Sequence, residues 1–253
     1  MRIAALQRTS FVNYPGKLAA VVFTQGCNLN CFYCHNRTLI GKDEGCNGIS
    51  VTEVFEYLRK RQGLLDAVVI TGGEPTLQSD LAEFIENVHR LDYRVKLDTN
   101  GTHPTVLASL MGAGLLDYAA MDIKGPPEKY ESICRVPVYL DAIEASIDLL
   151  LSSKLDYEFR TTVVPQLTQS DILIIGRRIQ GARRYVLQQY RRPQWAVPLC
   201  EEQPGTPPNT LTWAIKVAED LKRLVQSCHT RGFDPHRFPA SPSLKRAHTA
   251  CRH

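Results

Sequence analysis

The chain has 253 residues, with 30 basic and 26 acidic side chains for a formal charge of +4, and 43% of its residues are hydrophobic. That length fits one large domain or two small ones, and the composition sustains a buried core and excludes a globally disordered chain. No apolar run approaches the ~18 residues that span a bilayer, and the start MRIAALQRTS lacks a basic segment followed by an apolar one, so the expectation is a cytoplasmic protein with no membrane partner.

In chain order, Met1–Lys17 reads as an extended N-terminal piece turning at Tyr14-Pro15-Gly16. Short β-branched apolar runs then alternate with amphipathic stretches, the pattern of βα units in a parallel sheet. Strands are predicted at about Leu18–Thr24, Asp66–Thr71, Arg94–Asp98, Asp117–Asp122, Tyr157–Val163 and Arg184–Gln189. Helices are predicted at about Val51–Arg61, Leu81–Leu91, Thr105–Met111, Leu140–Ser152, Asp171–Ile179 and Leu211–Gln226. Ser50 with Glu53, and Asp80 with Glu83, have capping-box spacing at two helix starts. From Arg231 the sequence turns to Pro, Ser, His and Arg. The expected organisation is an extension over 1–17, the main domain over 18–228 and a loose tail over 229–253.

Six repeats fall short of a closed eight-unit barrel, which takes ~250 residues, and point to an α/β partial (βα)6 barrel, with a flat doubly wound sheet as the alternative. In both, ligands sit at the C-terminal ends of the strands. Charge is uneven: residues 1–170 carry 16 basic and 20 acidic groups, and 171–253 carry 14 and 6. The arginines Arg177, Arg178, Arg183, Arg184, Arg191 and Arg192 gather around the sixth strand, a surface suited to an acidic partner.

Three of the eight cysteines are clustered immediately after the first predicted strand, as Cys27, Cys31 and Cys34 in Gln25-Gly26-Cys27-Asn28-Leu29-Asn30-Cys31-Phe32-Tyr33-Cys34-His35-Asn36. Gly26, Asn28 and Asn30 favour a loop over a buried helical face. A closed zinc site wants a fourth ligand, and His35 is too near in sequence to complete a tetrahedron. Three thiolates suit a [4Fe–4S] cluster with one iron left open. Cys46, Cys134, Cys200, Cys228 and Cys251 show no ligand spacing, and a metal reading of the tail's Cys228, His229, His236, His248, Cys251 and His253 is weak beside simple disorder.

The C-x3-C-x2-C array resembles that of the radical S-adenosylmethionine enzymes, in which the open iron is chelated by the amino and carboxylate groups of S-adenosyl-L-methionine. One electron then yields methionine and a 5′-deoxyadenosyl radical that abstracts hydrogen. The resemblance implies a radical SAM partial barrel and further cofactor-binding residues at the strand ends. Gly72, Gly73 and Glu74 look like the GGE motif for the methionine amino group. Asp122, Ile123 and Lys124 follow the fourth strand, with Lys124 placed for the carboxylate or ribose. Asp98 and Asn100 close the third strand, either as contacts or as turn caps. Arg160 on the fifth strand would meet a cofactor carboxylate or form a structural salt bridge. Tyr33 would offer a ring edge and backbone to the adenine, or serve in ordinary packing, and Cys34 and His35 beside it are further cofactor-binding residues.

Only 37 residues separate Cys34 from Gly72, which leaves no room for a ferredoxin-like insert. The run Val21 to Cys27 with Tyr33-Cys34-His35-Asn36 is similar to the glycyl-radical-enzyme activases, above all the activating proteins of anaerobic ribonucleoside-triphosphate reductase, over roughly residues 1–225. Pyruvate formate-lyase activases share these motifs but tend to read Asp-Gly-Pro-Gly where Asn13-Tyr14-Pro15-Gly16-Lys17 stands here, and often carry a histidine near Gln188-Gln189-Tyr190-Arg191. A small-molecule radical enzyme such as the deazaguanine-forming synthase is the other class, and a plain iron–sulfur carrier or zinc module is the non-enzyme reading. The implied partners are a glycyl radical enzyme, the large subunit of anaerobic ribonucleotide reductase first, and an acidic one-electron donor such as flavodoxin or ferredoxin, with no role for nucleic acid.

Overall fold

The computed structural model describes residues 1–41, 48–193 and 210–233. The chain opens with a hairpin of β1 (Ile3–Tyr14) and β2 (Lys17–Thr24), turning at Pro15-Gly16, where Gly16 takes φ +69°. There follow α1 (Val51–Arg59), β3 (Ala67–Gly72), α2 (Leu81–His89), β4 (Arg94–Thr99), α3 (Pro104–Gly112) and β5 (Tyr118–Asp122). Then come α4 (Pro127–Cys134), α5 (Leu140–Leu151), β6 (Asp156–Val163), α6 (Gln169–Arg178), β7 (Tyr185–Gln189), α7 (Leu211–Leu221) and β8 (Cys228–Arg231). The eight strands pair in strict chain order, β1 antiparallel to β2 and every later pair parallel. The sheet curls into a half-barrel whose first and last strands do not pair, so the partial-barrel expectation holds and the flat-sheet alternative falls away.

Local sequence explains most elements. Leu81, Phe84, Ile85 and Val88 recur at i, i+3, i+4 and i+7 and are the buried stripe of α2. Ser50 and Glu53 close the expected capping box on α1. Asp80 does not cap α2; it pairs with the ammonium of Met1 instead. Thr168 and Asp171 form a second capping box, on α6. Two elements lie outside the six expected repeats: α4, and β8 (Cys228–Arg231), whose last three residues are the first of those assigned to a loose tail. The remaining tail, with Cys46 and Cys200 elsewhere, lies outside the described residues.

The larger core lies between the outer sheet face and the helices, with Ile70, Leu97, Met121 and Phe159 fully buried. A smaller one, Tyr14, Ala19, Val21, Ala67, Val69 and Tyr118, fills the barrel at the strands' N-terminal end, where the Tyr14 and Tyr118 rings lie 5.5 Å apart. The hairpin end therefore plugs the bottom of the barrel, and access is from the C-terminal side. Among the described residues, no helix is long and apolar enough to cross a membrane.

Candidate active site

At the C-terminal ends of β2 to β7 lies a cavity of about 370 Å³. Its wall includes Cys27, Cys31, Tyr33, Cys34 and His35 from the loop after β2, and Gly72, Gly73 and Glu74 from the end of β3. Asp98 and Asn100 at the end of β4, Asp122 and Lys124 at the end of β5, and Arg160 from β6 belong to it as well. Every expected site residue except Ile123 thus meets at one place. Ile123 does not line the cavity: its side chain is 4% exposed in the core, and its backbone ties β5 to β6 through its N–H to the Arg160 carbonyl (2.8 Å) and its carbonyl to the Thr161 hydroxyl (2.9 Å).

The cysteine loop is held from two sides. Towards β3, the Gly73 N–H donates to the Thr24 carbonyl (2.9 Å) and the Glu74 N–H to the Gly26 carbonyl (2.8 Å). A Cβ at Gly73 would stand 1.9 Å from the Gly26 oxygen, so this glycine admits the cysteine loop's own backbone. Gly73 also lines the cavity, so its backbone faces both the loop and the space beside it. Towards α4, the N–H groups of Asn30 and Phe32 donate to the carbonyls of Cys134 (3.0 Å) and Ile133 (3.3 Å). Cys134 itself lies 3.9 Å from Cys31, sulfur to sulfur, within hydrogen-bond range for thiols. That bond lowers the Cys31 thiol against the pull of burial, and raises Cys134 together with burial. Burial pushes Cys27 up to about 11 and raises Cys34, so a metal taken up here displaces protons.

The opposite wall is a ladder of charges. Glu74 is buried and accepts from the Thr76 N–H (3.1 Å), the hydroxyls of Thr76 (2.6 Å) and Thr99 (2.8 Å), and the Asn100 N–H (2.7 Å). Asn100 also donates to Asn28 (3.0 Å) across the cysteine loop. Asp98 is no turn cap: it accepts from Lys96 and from Arg160 Nη1 (3.0 Å). Arg160 Nε reaches Asp122 (2.7 Å), and Asp122 accepts from Lys124 (3.1 Å). Arg160 is thus the structural bridge weighed at the outset, with both carboxylates supplied by the protein. Burial, the largest single influence, would raise Asp98 and Asp122, but Arg160 together with Lys96 at the one and Lys124 at the other outweighs it and holds both carboxyls below their ordinary values. The Lys124 ammonium stands 5.9 Å over the Tyr33 ring, whose other neighbour is Phe32, so the ring is packed against its own wall.

Sequence reasoning missed Lys96, fully buried behind Asp98, and Glu158, which meets Arg231 (3.3 Å) and Tyr118 (3.3 Å) deeper in the barrel. The arginines do gather around β7, the sixth predicted strand, but at both of its ends. Arg177, Arg178, Arg183 and Arg184 lie where α6 ends and before β7 begins, the far end of the barrel. Five residues of strand, ~17 Å, separate Arg184 from Gln189 on the cavity wall, beyond the ~10 Å screening length at 0.1 M salt. Arg178 is engaged with Glu144 and Asp148, and Arg183 with Asp156. Of the six, Arg191 lines the cavity.

The donor set fits an iron–sulfur cluster. Among the described residues no three His, Cys, Asp or Glu converge to hold a single metal ion, whereas a multi-iron cluster takes one thiolate per iron. Beside the thiols, carboxylates and cations alternate, as a zwitterionic amino-acid ligand requires.

Residues 21–179 match the Radical SAM superfamily. A candidate glycyl-radical enzyme activating enzyme of Methanocaldococcus jannaschii is 34% identical over 194 residues, covering 74% of this chain and 79% of that protein. A candidate GTP 3',8-cyclase of Halobacterium salinarum is 33% identical over 192 residues, 70% of this chain; the chain spans about half of that protein, 53%. Among solved structures, Streptococcus suis SuiB bound to S-adenosylmethionine shares the fold with a TM-score of 0.64, over 82% of this chain and 48% of that one at 13% identity.

Proposed function

This chain belongs to the radical SAM superfamily, and on that premise we propose that it is a glycyl-radical-enzyme activating enzyme, with an anaerobic ribonucleoside-triphosphate reductase as its client. The overlap with the M. jannaschii activating enzyme supports the activating-enzyme part of this reading, because it runs over most of both chains, whereas the cyclase match covers about half of the cyclase; the client rests on the Asn13-Tyr14-Pro15-Gly16-Lys17 resemblance. When bound, the [4Fe–4S] cluster and S-adenosyl-L-methionine supply a 5′-deoxyadenosyl radical that takes one hydrogen from a glycine Cα of the client. Cys27, Cys31 and Cys34 hold the cluster. Glu74 receives the methionine amino group, and Lys124, fixed by Asp122, receives the carboxylate or ribose. Arg160 and Asp98 keep that wall rigid, and His35 and Asn100 border the adenosyl moiety. The unpaired barrel edge leaves a side through which a loop of the client enters, which brings its glycine into contact with the site and keeps water out. An acidic one-electron carrier docks near the cysteine loop, where Arg37, Arg135 and Arg191 are the nearby cations.

The test mixes the reduced protein, S-adenosylmethionine and each candidate client under anaerobic conditions and records electron paramagnetic resonance. A glycyl radical doublet on the reductase and none on pyruvate formate-lyase is expected; the opposite pattern exchanges the client. The cyclase matches give a second reading, a small-molecule reaction on a purine nucleoside triphosphate. Turnover of GTP with no protein radical establishes that reading instead.

A further inference from the structure

Cys134 has no part in the three-cysteine motif, yet it is the residue on which the motif leans. It ends α4, is 0% exposed, and lies 3.9 Å from Cys31 across 103 residues of sequence. Its backbone position is fixed independently of that contact. The two N–H groups flanking Cys31 both donate to α4, at Cys134 and Ile133, and Arg135 beyond adopts φ +55° to end the helix. The start of α4 is tied to the cavity as well, since the Lys124 N–H donates to the Tyr130 hydroxyl (3.3 Å). A bare thiol could sit against Cys31 by packing alone, but these clamps tie together the two backbone segments that carry the sulfurs.

We propose that Cys134 is a positioning residue for the cluster: its S–H donates a hydrogen bond to the Cys31 thiolate and raises the cluster's reduction potential. This rests on the reading that Cys31 ligates iron. As a ligand, Cys31 is a thiolate and can only accept, while Cys134, buried behind it and outside the cavity wall, keeps its proton and donates. A hydrogen bond to a ligating sulfur draws electron density from it, which favours the extra electron of the reduced cluster. No proton is transferred and no bond to iron changes.

The experiment compares wild type, Cys134→Ser and Cys134→Ala after anaerobic reconstitution with iron and sulfide. Iron and sulfide content comes first: a wild-type protein that takes up no cluster refutes the ligand assignment itself. With cluster present, redox titration followed by electron paramagnetic resonance is expected to place Cys134→Ala at a more negative midpoint potential than wild type, with Cys134→Ser between them because a hydroxyl still donates. Equal potentials in wild type and Cys134→Ala overturn the proposal while leaving the ligands intact. Should Cys134→Ala not fold, the infrared S–H stretch lost on going from wild type to Cys134→Ser decides. A stretch lowered to the hydrogen-bonded range supports the donor, and one at the free-thiol position overturns it.

Discussion

Gly73→Ala is the most incisive perturbation, because the glycine both lines the cavity and admits the backbone of the cysteine loop. An added Cβ would stand 1.9 Å from the Gly26 oxygen and 2.5 Å from its carbonyl carbon, about 1.5 Å inside the 3.4 Å at which ordinary contact begins. Both atoms are backbone, so the segment leading into Cys27 has to move. The bonds at stake are Gly73 N–H to Thr24 and Glu74 N–H to Gly26. At ~0.5–1.5 kcal/mol net for each, with the strain added, the cost to the loop is on the order of 2–4 kcal/mol, roughly 30- to 1,000-fold in the population of the ligating form. The assay is iron bound per chain at limiting iron, with circular dichroism and thermal unfolding as fold controls. Gly112→Ala at the end of α3, with nothing within 4 Å of its Cβ, is the matched control and should load iron normally. If Gly73→Ala loads iron like wild type and loses only S-adenosylmethionine affinity, the glycine serves the ligand after all and the loop-clamp argument fails.

Cys31→Ala should lose the cluster spectrum and cofactor cleavage together, whereas Cys228→Ala, at the buried first position of β8, should keep its full iron content by colorimetric assay. Arg160→Met leaves Asp98 and Asp122 facing each other without their shared cation, and a loss of about 3–5 kcal/mol in urea unfolding is expected; an unchanged midpoint would show that the bridge contributes nothing. Because these carboxyls sit below their ordinary values in the folded protein, the stability they contribute is complete above the unfolded pKa of ~3.9 and drains away as pH falls through the lowered folded values. Urea midpoints measured down to pH ~3 should show that acid loss in wild type and a flattened or reversed one in Arg160→Met. Lys124→Ala should weaken S-adenosylmethionine binding in calorimetry with little change in iron content, and unaltered affinity would confine Lys124 to its pairing with Asp122.

The strands with continuous apolar runs, such as Ala67-Val68-Val69-Ile70, were legible because parallel strands covered on both faces need them. The four-residue β8, Cys-His-Thr-Arg, has no such run and exists through pairing with β7, information that lies in the partner strand. In Arg94-Val95-Lys96-Leu97-Asp98 the alternation of charge and apolar residue reads as a strand with one wet face; in this barrel that face turns inward, and Lys96 and Asp98 satisfy each other there. The cysteine triplet was legible since its ligands are local. Cys134 was not, because its contact spans the chain, and a lone cysteine after Ser-Ile has no spacing to report. The Gly-Gly pair announced a close approach, but only the coordinates identify Gly26 as the neighbour that comes close.

The two-sided clamp on the cysteine loop also orders events in time. Residues 27–34 are made well before their anchors, since the loop they form is fastened by Gly73 and Glu74 and then by the carbonyls of Ile133 and Cys134. Each parallel strand pairs with the one made just before it, so the sheet can grow as the chain emerges, while the loop waits until α4 has been made. During synthesis three thiols are therefore exposed and unanchored. Such a nascent chain is more vulnerable to oxidation or to capture of a wrong metal than the finished protein, and metal loading belongs after α4 has closed behind the loop.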